Sequence, residues 1–206
     1  MGLMAGGASF SRFRVEGQLP PNYREELAGR IRGRGFRELE EHSDQERSVG
    51  WVNIMDPMDV EFRGEEFLKG GYVALALRVD VRRVPSKVLR QHTMAAEREL
   101  IKKEGLTFLP RERRREIREQ VRWRLLKRVL PISSIYEVAW NLKEGFLLLG
   151  SVQPAVCDLF QEHFHKTFDM RVIPLYPKEL ALSHCRKLGW DAQRLLGLHP
   201  WALKTE

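Results

Sequence analysis

The sequence predicts an α+β protein: a mainly antiparallel sheet body with packed helices, from which an antiparallel helical hairpin projects. Two observations predict the body. Several short segments alternate apolar and polar residues, as strands do, and segments with helical apolar spacing lie between them. A third observation predicts the hairpin, because lysine and arginine concentrate in one long segment of helical character. We therefore expect a discontinuous central domain, residues 1–83 and 130–206, interrupted by a basic hairpin at residues 84–129.

The body elements follow from periodicity and from glycine and proline positions. The clearest strand, residues 72–81 (YVALALRVDV), follows Gly70 and Gly71. A loop is expected at residues 53–69, since Pro57 and Gly64 interrupt that stretch. Further strands are predicted at residues 9–16, 49–52, 135–142, 146–152 and 170–175, and helices at residues 22–32, 154–167 and 180–188.

Two helices are predicted for the hairpin. Pro85 opens the first, which ends at Gly105, and Pro110 opens the second, which runs to residue 129 or 130 before Pro131. Each helix has one thin apolar seam, which indicates that the two pack on each other. The seam residues are Leu89, Thr93, Ala96 and Leu100 in the first helix and Ile117, Val121 and Leu125 in the second.

Charge is distributed unevenly along the chain. Residues 78–128 contain 17 Lys or Arg and 7 Asp or Glu, a local balance of +10, so the rest of the chain carries −3 of the total +7. A basic segment on a slightly acidic body produces a localised positive field, which attracts a polyanion to one place.

Four arginines of this basic segment form a stripe on one side of the second helix. Arg111, Arg115, Arg118 and Arg122 are spaced four, three and four residues apart, so they share one helix face. Guanidinium groups on such a face can meet successive phosphates. The alternative is a solvated face on which nearby glutamates offset the arginines. The candidate DNA contacts are Arg82, Arg83, Lys87, Arg90, Lys102, Lys103, Arg111, Arg114, Arg115, Arg118 and Arg122, and the offsetting acids are Glu112, Glu116 and Glu119.

The pattern favours contact with duplex phosphates that is independent of base sequence. The segment has no helix-turn-helix or zinc-finger spacing, and its second helix holds one aromatic residue, Trp123, where single-strand binders interleave several. A second hypothesis makes the hairpin a protein-interaction or oligomerisation module. Its candidate dimer contacts are Ile117, Val121 and Trp123.

Catalysis is the least favoured hypothesis. Asp56, Asp59 and Glu61 could hold a divalent metal in a nuclease, but a solvated loop explains them better. His163 and His165 lie two apart on a predicted helix, so they diverge. We therefore expect no catalytic residues, no metal, no cofactor and no enzymatic activity, with a metal-dependent nuclease as the alternative.

The sequence contains few signals that indicate a cellular location. No apolar run approaches the eighteen or so residues of a membrane span, and residues 1–9 lack the features of a secretory signal. Cys157 and Cys185 are then expected to be free thiols. The expectation is a cytoplasmic protein with no membrane association.

Several short segments, taken in order, give the chain a family resemblance. It resembles the recombination-associated protein RdgC family of bacteria over roughly residues 10–182, and the order and spacing of the segments carry the likeness. They are Gly50-Trp51-Val52, Val84-Pro85-Ser86-Lys87-Val88-Leu89, Leu130-Pro131 after the charged helices, Trp140, residues 146–151 and Val172-Ile173-Pro174-Leu175.

The resemblance implies a nucleoid-associated, ring-shaped homodimer that encircles duplex DNA without sequence preference and limits the access of the recombinase RecA. The basic stretch of residues 82–128 would then be the tip, where two subunits meet, and its approach to the inner wall of the ring. Family members usually carry a further C-terminal domain that closes the ring. This chain is expected to be a short member without it, so an open clamp or a higher oligomer are alternatives to a closed ring.

Overall fold

The computed structural model describes residues 9–41 and 43–191, together with Gly197, and confirms the predicted α+β class. The expectations for residues 1–8 and for the tail from residue 192 lie outside the described residues, Gly197 apart. Within the described part of the chain there are seven strands and five helices. The strands are β1 (Ser11–Glu16), β2 (Arg47–Asn53), β3 (Leu68–Lys69), β4 (Tyr72–Val81), β5 (Ile132–Asn141), β6 (Phe146–Leu149) and β7 (Arg171–Pro174). The helices are α1 (Tyr23–Gly33), α2 (Ser86–Glu104), α3 (Arg111–Leu126), α4 (Pro154–Phe168) and α5 (Pro177–Leu188).

All seven strands join one antiparallel sheet with the order β2-β4-β5-β6-β1-β7, and β3 pairs with β4 beyond the end of β2. The longest ladder joins β4 and β5 from Tyr72↔Asn141 to Val81↔Ile132. The chain leaves the sheet after β4 and returns into β5 at this last pair, so α2 and α3 are inserted at one end of the two central strands.

One face of the sheet is covered by α1 and α4. Alternate residues of each strand point towards these helices, including Leu77 in β4, Val138 in β5 and Leu147 in β6, and all three are buried in the main core. Trp51 of β2 lies at the centre and donates a hydrogen bond from its indole Nε1 to Thr167 Oγ1 of α4, 2.9 Å away. The N–H of a buried indole usually has such a partner.

The opposite face of the sheet is only partly covered. Near β2 and β4 the segment after α1 crosses it, where Phe36 and Val60 pack on Val52 and Ala76. Arg78 lies over the Phe36 ring at 4.2 Å. Its guanidinium also forms a 2.9 Å ion pair with Asp80, which satisfies a buried carboxylate.

Helices α2 and α3 form a second, smaller core with each other. Leu89 of α2 and Ile117, Val121 and Leu125 of α3 are buried there, as is Leu109 in the link between the helices. We call residues 84–129 the arm. The helix α2 ends at Gly105, whose φ of 64° is a left-handed conformation that glycine adopts without strain.

Several element boundaries differ from the predictions. The strand β5 begins at Ile132 rather than residue 135, and β3 forms inside the predicted loop. Both strands pair with β4 at these residues, and the periodicity of a sequence does not show which residues pair. Helix α3 ends at Leu126, before the predicted residue 129 or 130, and α5 begins at Pro177 rather than residue 180 because proline suits a first helical turn. None of the helices that the structure describes combines the length and the apolar content of a transmembrane helix.

Candidate nucleic-acid interface

The arginine stripe lies on α3 beside the seam that packs against α2. Pro110 precedes the helix, and no glycine or proline interrupts residues 111–126. Because Ile117, Val121 and Leu125 occupy the inward face, residues offset from them by about a third of a turn face solvent. Arg111, Arg115 and Arg118 are exposed there.

Nine of the eleven predicted DNA contacts are exposed, and the other two are not. The exposed residues are Arg83, Lys87, Arg90, Lys102, Lys103, Arg111, Arg114, Arg115 and Arg118. Arg82 is buried and Arg122 is half-buried. Most of the predicted cationic groups are therefore accessible to a ligand.

A groove on one side of the arm brings cations of both helices together. Lys87 and Arg90 from α2 and Arg118 from α3 line it, and its volume is about 490 Å³. Glu97 supplies the carboxylate in this lining. With three cationic side chains and one carboxylate in its lining, the groove carries a net positive charge that favours an anion.

The ion pairs of the arm argue against a neutralised charged face. Arg113 pairs with Glu116 at 2.9 Å and lies 4.0 Å from Glu104. By contrast, no carboxylate of the described residues lies within 4.0 Å of the guanidinium nitrogens of Arg111, Arg115 or Arg118. The glutamates of α3 therefore do not offset these three arginines by direct pairing.

Arg82 is a correction to the predicted interface. Its side chain is buried, and its guanidinium donates to the backbone carbonyls of Leu39, Glu40 and Ser43. The guanidinium holds the segment that leads into β2 against the end of β4. In this conformation it cannot reach a phosphate, and its role here is structural.

Arg122 is at the base of the stripe and contacts the body. Its guanidinium forms an ion pair with Glu46, just before β2, and lies 5.4 Å from the centre of the Trp123 ring. A phosphate would have to compete with Glu46 for this arginine. The three arginines nearer the tip have no such competitor among the described residues.

The predicted dimer contacts separate into two kinds. Ile117 and Val121 are buried between α2 and α3, so they stabilise the arm itself and are not accessible to a second subunit. Trp123 is 39% exposed and remains accessible. Leu106 and Phe108, in the link between the helices, are also exposed, Phe108 by 68%. Sequence reasoning overlooked them, although two apolar residues in a link after Gly105 are a visible signal.

The acidic loop after β2 uses its carboxylates within the loop. Asp56 accepts a hydrogen bond from the Met58 backbone N–H, and Asp59 accepts one from that of Glu61 and another from the Asn53 side chain. The hydrogen bond from Asn53 lowers the pKa of Asp59, as does the backbone bond. Among the described residues no group of three or more His, Cys, Asp or Glu is placed to hold a metal ion.

The two histidines of α4 have different surroundings. The His163 ring packs on Trp51 with 5.0 Å between ring centres, and its Nε2 is buried without a hydrogen-bond partner. Burial lowers the pKa of His163 to about 4, and the nearby positive charge of Arg34 adds to the effect. His165 is exposed, and its Nδ1 lies 3.3 Å from the Met170 carbonyl.

Comparison with known proteins gives one family. A family model described as "Putative exonuclease, RdgC" matches residues 10–185, which includes the seven strands of the described residues, the arm and most of α5. A search of curated proteins gives no match.

Proposed function

Because the chain belongs to the RdgC family, which supports a recombination-related role, we propose that its arm binds duplex DNA without sequence preference. The observation that carries the proposal is the set of three exposed arginines, Arg111, Arg115 and Arg118, that have no carboxylate partner among the described residues. They lie at helical spacing, and Lys87 and Arg90 extend the same surface across the groove. Such a surface recognises the phosphate backbone rather than base edges.

The finer proposal is a homodimeric clamp, associated with the nucleoid, that limits the access of a RecA-type recombinase to DNA. It is supported by the family membership and by the exposed apolar side chains of the arm, Trp123, Leu106 and Phe108. Two arms that meet through these side chains would place the cationic surfaces of both subunits on one duplex.

The decisive experiment compares salt-dependent binding of a duplex by wild type and by the triple variant Arg111→Ala, Arg115→Ala, Arg118→Ala. Each phosphate contact contributes about −0.9 to the slope of log K against log salt concentration. We expect the variant to bind more weakly at low salt and to lose about 0.9 of slope per contact removed. Circular dichroism should show unchanged helix content, since the three side chains are exposed.

A charge-matched control separates position from net charge. The variant Arg24→Ala, Arg37→Ala, Arg47→Ala removes three exposed arginines from the body and leaves the arm intact. It should retain the wild-type slope. Equal weakening by both triple variants would show that only overall charge matters, and an unchanged slope in the arm variant would exclude the arm as the site.

A nuclease is the second candidate, favoured by the word exonuclease in the description of the family model. We propose instead that the chain is not an enzyme, since Asp56 and Asp59 cap their own loop. Incubation of pure protein with linear duplex and Mg²⁺ or Mn²⁺ tests this. Release of nucleotides that follows the protein through purification would overturn the non-enzymatic proposal.

A further inference from the structure

A row of polar and aromatic residues crosses the sheet on the face opposite α1 and α4. The strand register places its members directly beside one another on neighbouring strands. Lys69 pairs with Tyr72, Tyr72 with Asn141, Asn141 with Phe146, and Phe146 with Arg14. We call Lys69, Tyr72, Asn141, Phe146 and Arg14 the cross-strand row.

Paired residues of an antiparallel sheet point to the same face, so all five side chains share one side. That side is the one without helices α1 and α4, because the neighbours of Tyr72 and Phe146 along their strands, Val73 and Leu147, are buried in the main core. Lys69, Tyr72 and Arg14 are exposed, and Asn141 and Phe146 are half-buried. The row is thus accessible from solvent along its length.

The two aromatic rings at the centre of the row contact each other. Tyr72 and Phe146 meet edge to face with 6.4 Å between ring centres. The guanidinium of Arg12, two residues before Arg14 in β1 and on the same face, lies 5.3 Å from the centre of the Phe146 ring. Ala74 and Ala139 occupy the next positions on the same face. Because both side chains are small, the two rings protrude from the sheet surface beside them.

The row combines three kinds of group that recognise single-stranded nucleic acid. Aromatic rings on a sheet surface stack on bases whatever their identity, and an arginine plane can stack in the same way. Asn141 Oδ1 accepts the Glu144 backbone N–H at 2.8 Å, which leaves the amide NH₂ of Asn141 as a donor to a base edge. Lys69 and Arg14 lie four strand spacings apart, about 19 Å, on either side of the rings, where they can contact backbone phosphates. Arg14 also donates from Nη2 to Ser183 Oγ of α5 at 3.3 Å, an exposed hydrogen bond with which a phosphate would compete.

We propose that the cross-strand row binds an extended single strand of nucleic acid, with bases on Tyr72 and Phe146 and phosphates on Lys69 and Arg14. This site is distinct from the duplex-binding arm. The row is at the Tyr72 end of β4, whereas the chain enters the arm after Val81, about 30 Å further along the strand. A duplex presents no unstacked bases to these rings, so the two sites recognise different forms of nucleic acid.

The test measures the fluorescence anisotropy of two labelled oligonucleotides, one of fifteen thymidines (DNA) and one of fifteen uridines (RNA). Comparison of the two affinities shows whether the row prefers DNA or RNA. Tyr72→Ala should weaken binding by between about five-fold and a hundred-fold, the range for loss of one stacked base. Phe146→Leu, which keeps an apolar side chain at a half-buried position, should weaken it in the same direction. Ile135→Ala removes an exposed apolar residue from the same face, outside the row, and should leave binding unchanged.

Comparison with the arm distinguishes failure of this proposal from failure of the duplex proposal. Tyr72→Ala should keep duplex binding within two-fold of wild type, and the Arg111/Arg115/Arg118 triple variant should keep binding of the single strand. Single-strand binding that is unaffected by Tyr72→Ala, or abolished by the arm variant alone, would overturn the assignment.

Cross-linking locates the contact directly. An oligonucleotide with 5-iodouracil at its centre, irradiated in the near ultraviolet, should attach to Tyr72 or Phe146, and mass spectrometry should find the adduct in peptides of β4 or β6. Adducts confined to α2 and α3 would assign single strands to the arm and overturn the proposal. Absence of binding, with self-association that Tyr72→Ala abolishes, would assign the face to a second copy of the chain instead.

Discussion

His163 connects the stability of the fold to pH through a single side chain. Its Nε2 is buried without a partner and its ring packs on Trp51, so protonation would place an uncompensated charge against the core. Arg34 and Lys166 disfavour that charge further, while Glu162 and a hydrogen bond to the backbone of Arg34 favour it less strongly than burial opposes it. The net result is a pKa of about 4 in the folded state against 6.5 for an unperturbed histidine.

The sign of the pH dependence follows from this lowered pKa. Between pH 6.5 and about 4 the unfolded chain binds a proton that the folded chain does not, so stability falls as pH falls through this range. The loss amounts to at most about 3 kcal/mol. Urea unfolding of wild type at pH 7, 6 and 5 should show the decline, and His163→Phe should flatten it. His165→Phe, at an exposed position, should not; an unchanged pH profile in His163→Phe would contradict the argument.

Two arginines show what single residues disclose in a sequence and what they do not. Spacing predicts that Arg118 shares a helix face with Arg111 and Arg115, because helical geometry is local. Arg82 looks equally basic in the sequence, yet it is buried against carbonyls about forty residues earlier in the chain. Such a partner depends on tertiary packing, so a charge count includes Arg82 in the interface although its guanidinium is already bound.

At the scale of elements, β2 depends on a close backbone approach that only glycine permits. The segment after α1 pairs with the outer edge of β2, where Phe36 N–H donates to the Trp51 carbonyl and Trp51 N–H donates to that of Arg34. A Cβ atom on Gly50 would lie 2.3 Å from Phe36 Cα, a contact that backbone atoms cannot relieve by a rotamer change. The sequence reveals the glycine but not the segment that lies over it.

Gly50→Ala should therefore destabilise the protein by at least about 2 kcal/mol, because the segment must move away from β2 and uncover Val52 and Ala76. Thermal and urea unfolding measure the effect. Gly29→Ala is the matched control: nothing lies within 4 Å of its added Cβ, and alanine in α1 should stabilise by up to about 1 kcal/mol. Equal effects of the two substitutions would show that the close approach to Phe36 does not matter.

Elements also mark where periodicity stops being informative. The long strand β4 and the helices α2 and α4 are predicted close to their observed bounds, because each has a sustained pattern of its own. The two-residue strand β3 and the first three residues of β5 are strand because they pair with β4, so no local pattern in the sequence predicts them. The cross-strand row escapes the sequence for the same reason, since its five residues come from five strands and are joined only by register.

At the scale of the whole molecule, the positive charge and the exposed apolar residues of the arm lie on the same two helices and their link. A surface that only bound DNA would gain nothing from exposing Phe108, Leu106 and Trp123 to water, because apolar contacts do not recognise phosphates. Self-association of two arms would bury these side chains and bring two cationic surfaces together. The homodimer proposal therefore predicts that oligomeric state depends on the link between α2 and α3.

Sedimentation velocity without DNA tests this dependence across a range of protein concentrations. Phe108→Ala should shift the monomer–dimer equilibrium towards monomer by about ten-fold or more, since a buried aromatic contact contributes on the order of 2 kcal/mol. Leu188→Ala, at an exposed apolar position of α5, should leave the equilibrium unchanged. A dimer that resists Phe108→Ala but dissociates with Trp123→Ala would move the contact to the base of α3. A dimer insensitive to both would place self-association outside the arm, and each subunit would then bind DNA through its arm without contact between the two arms.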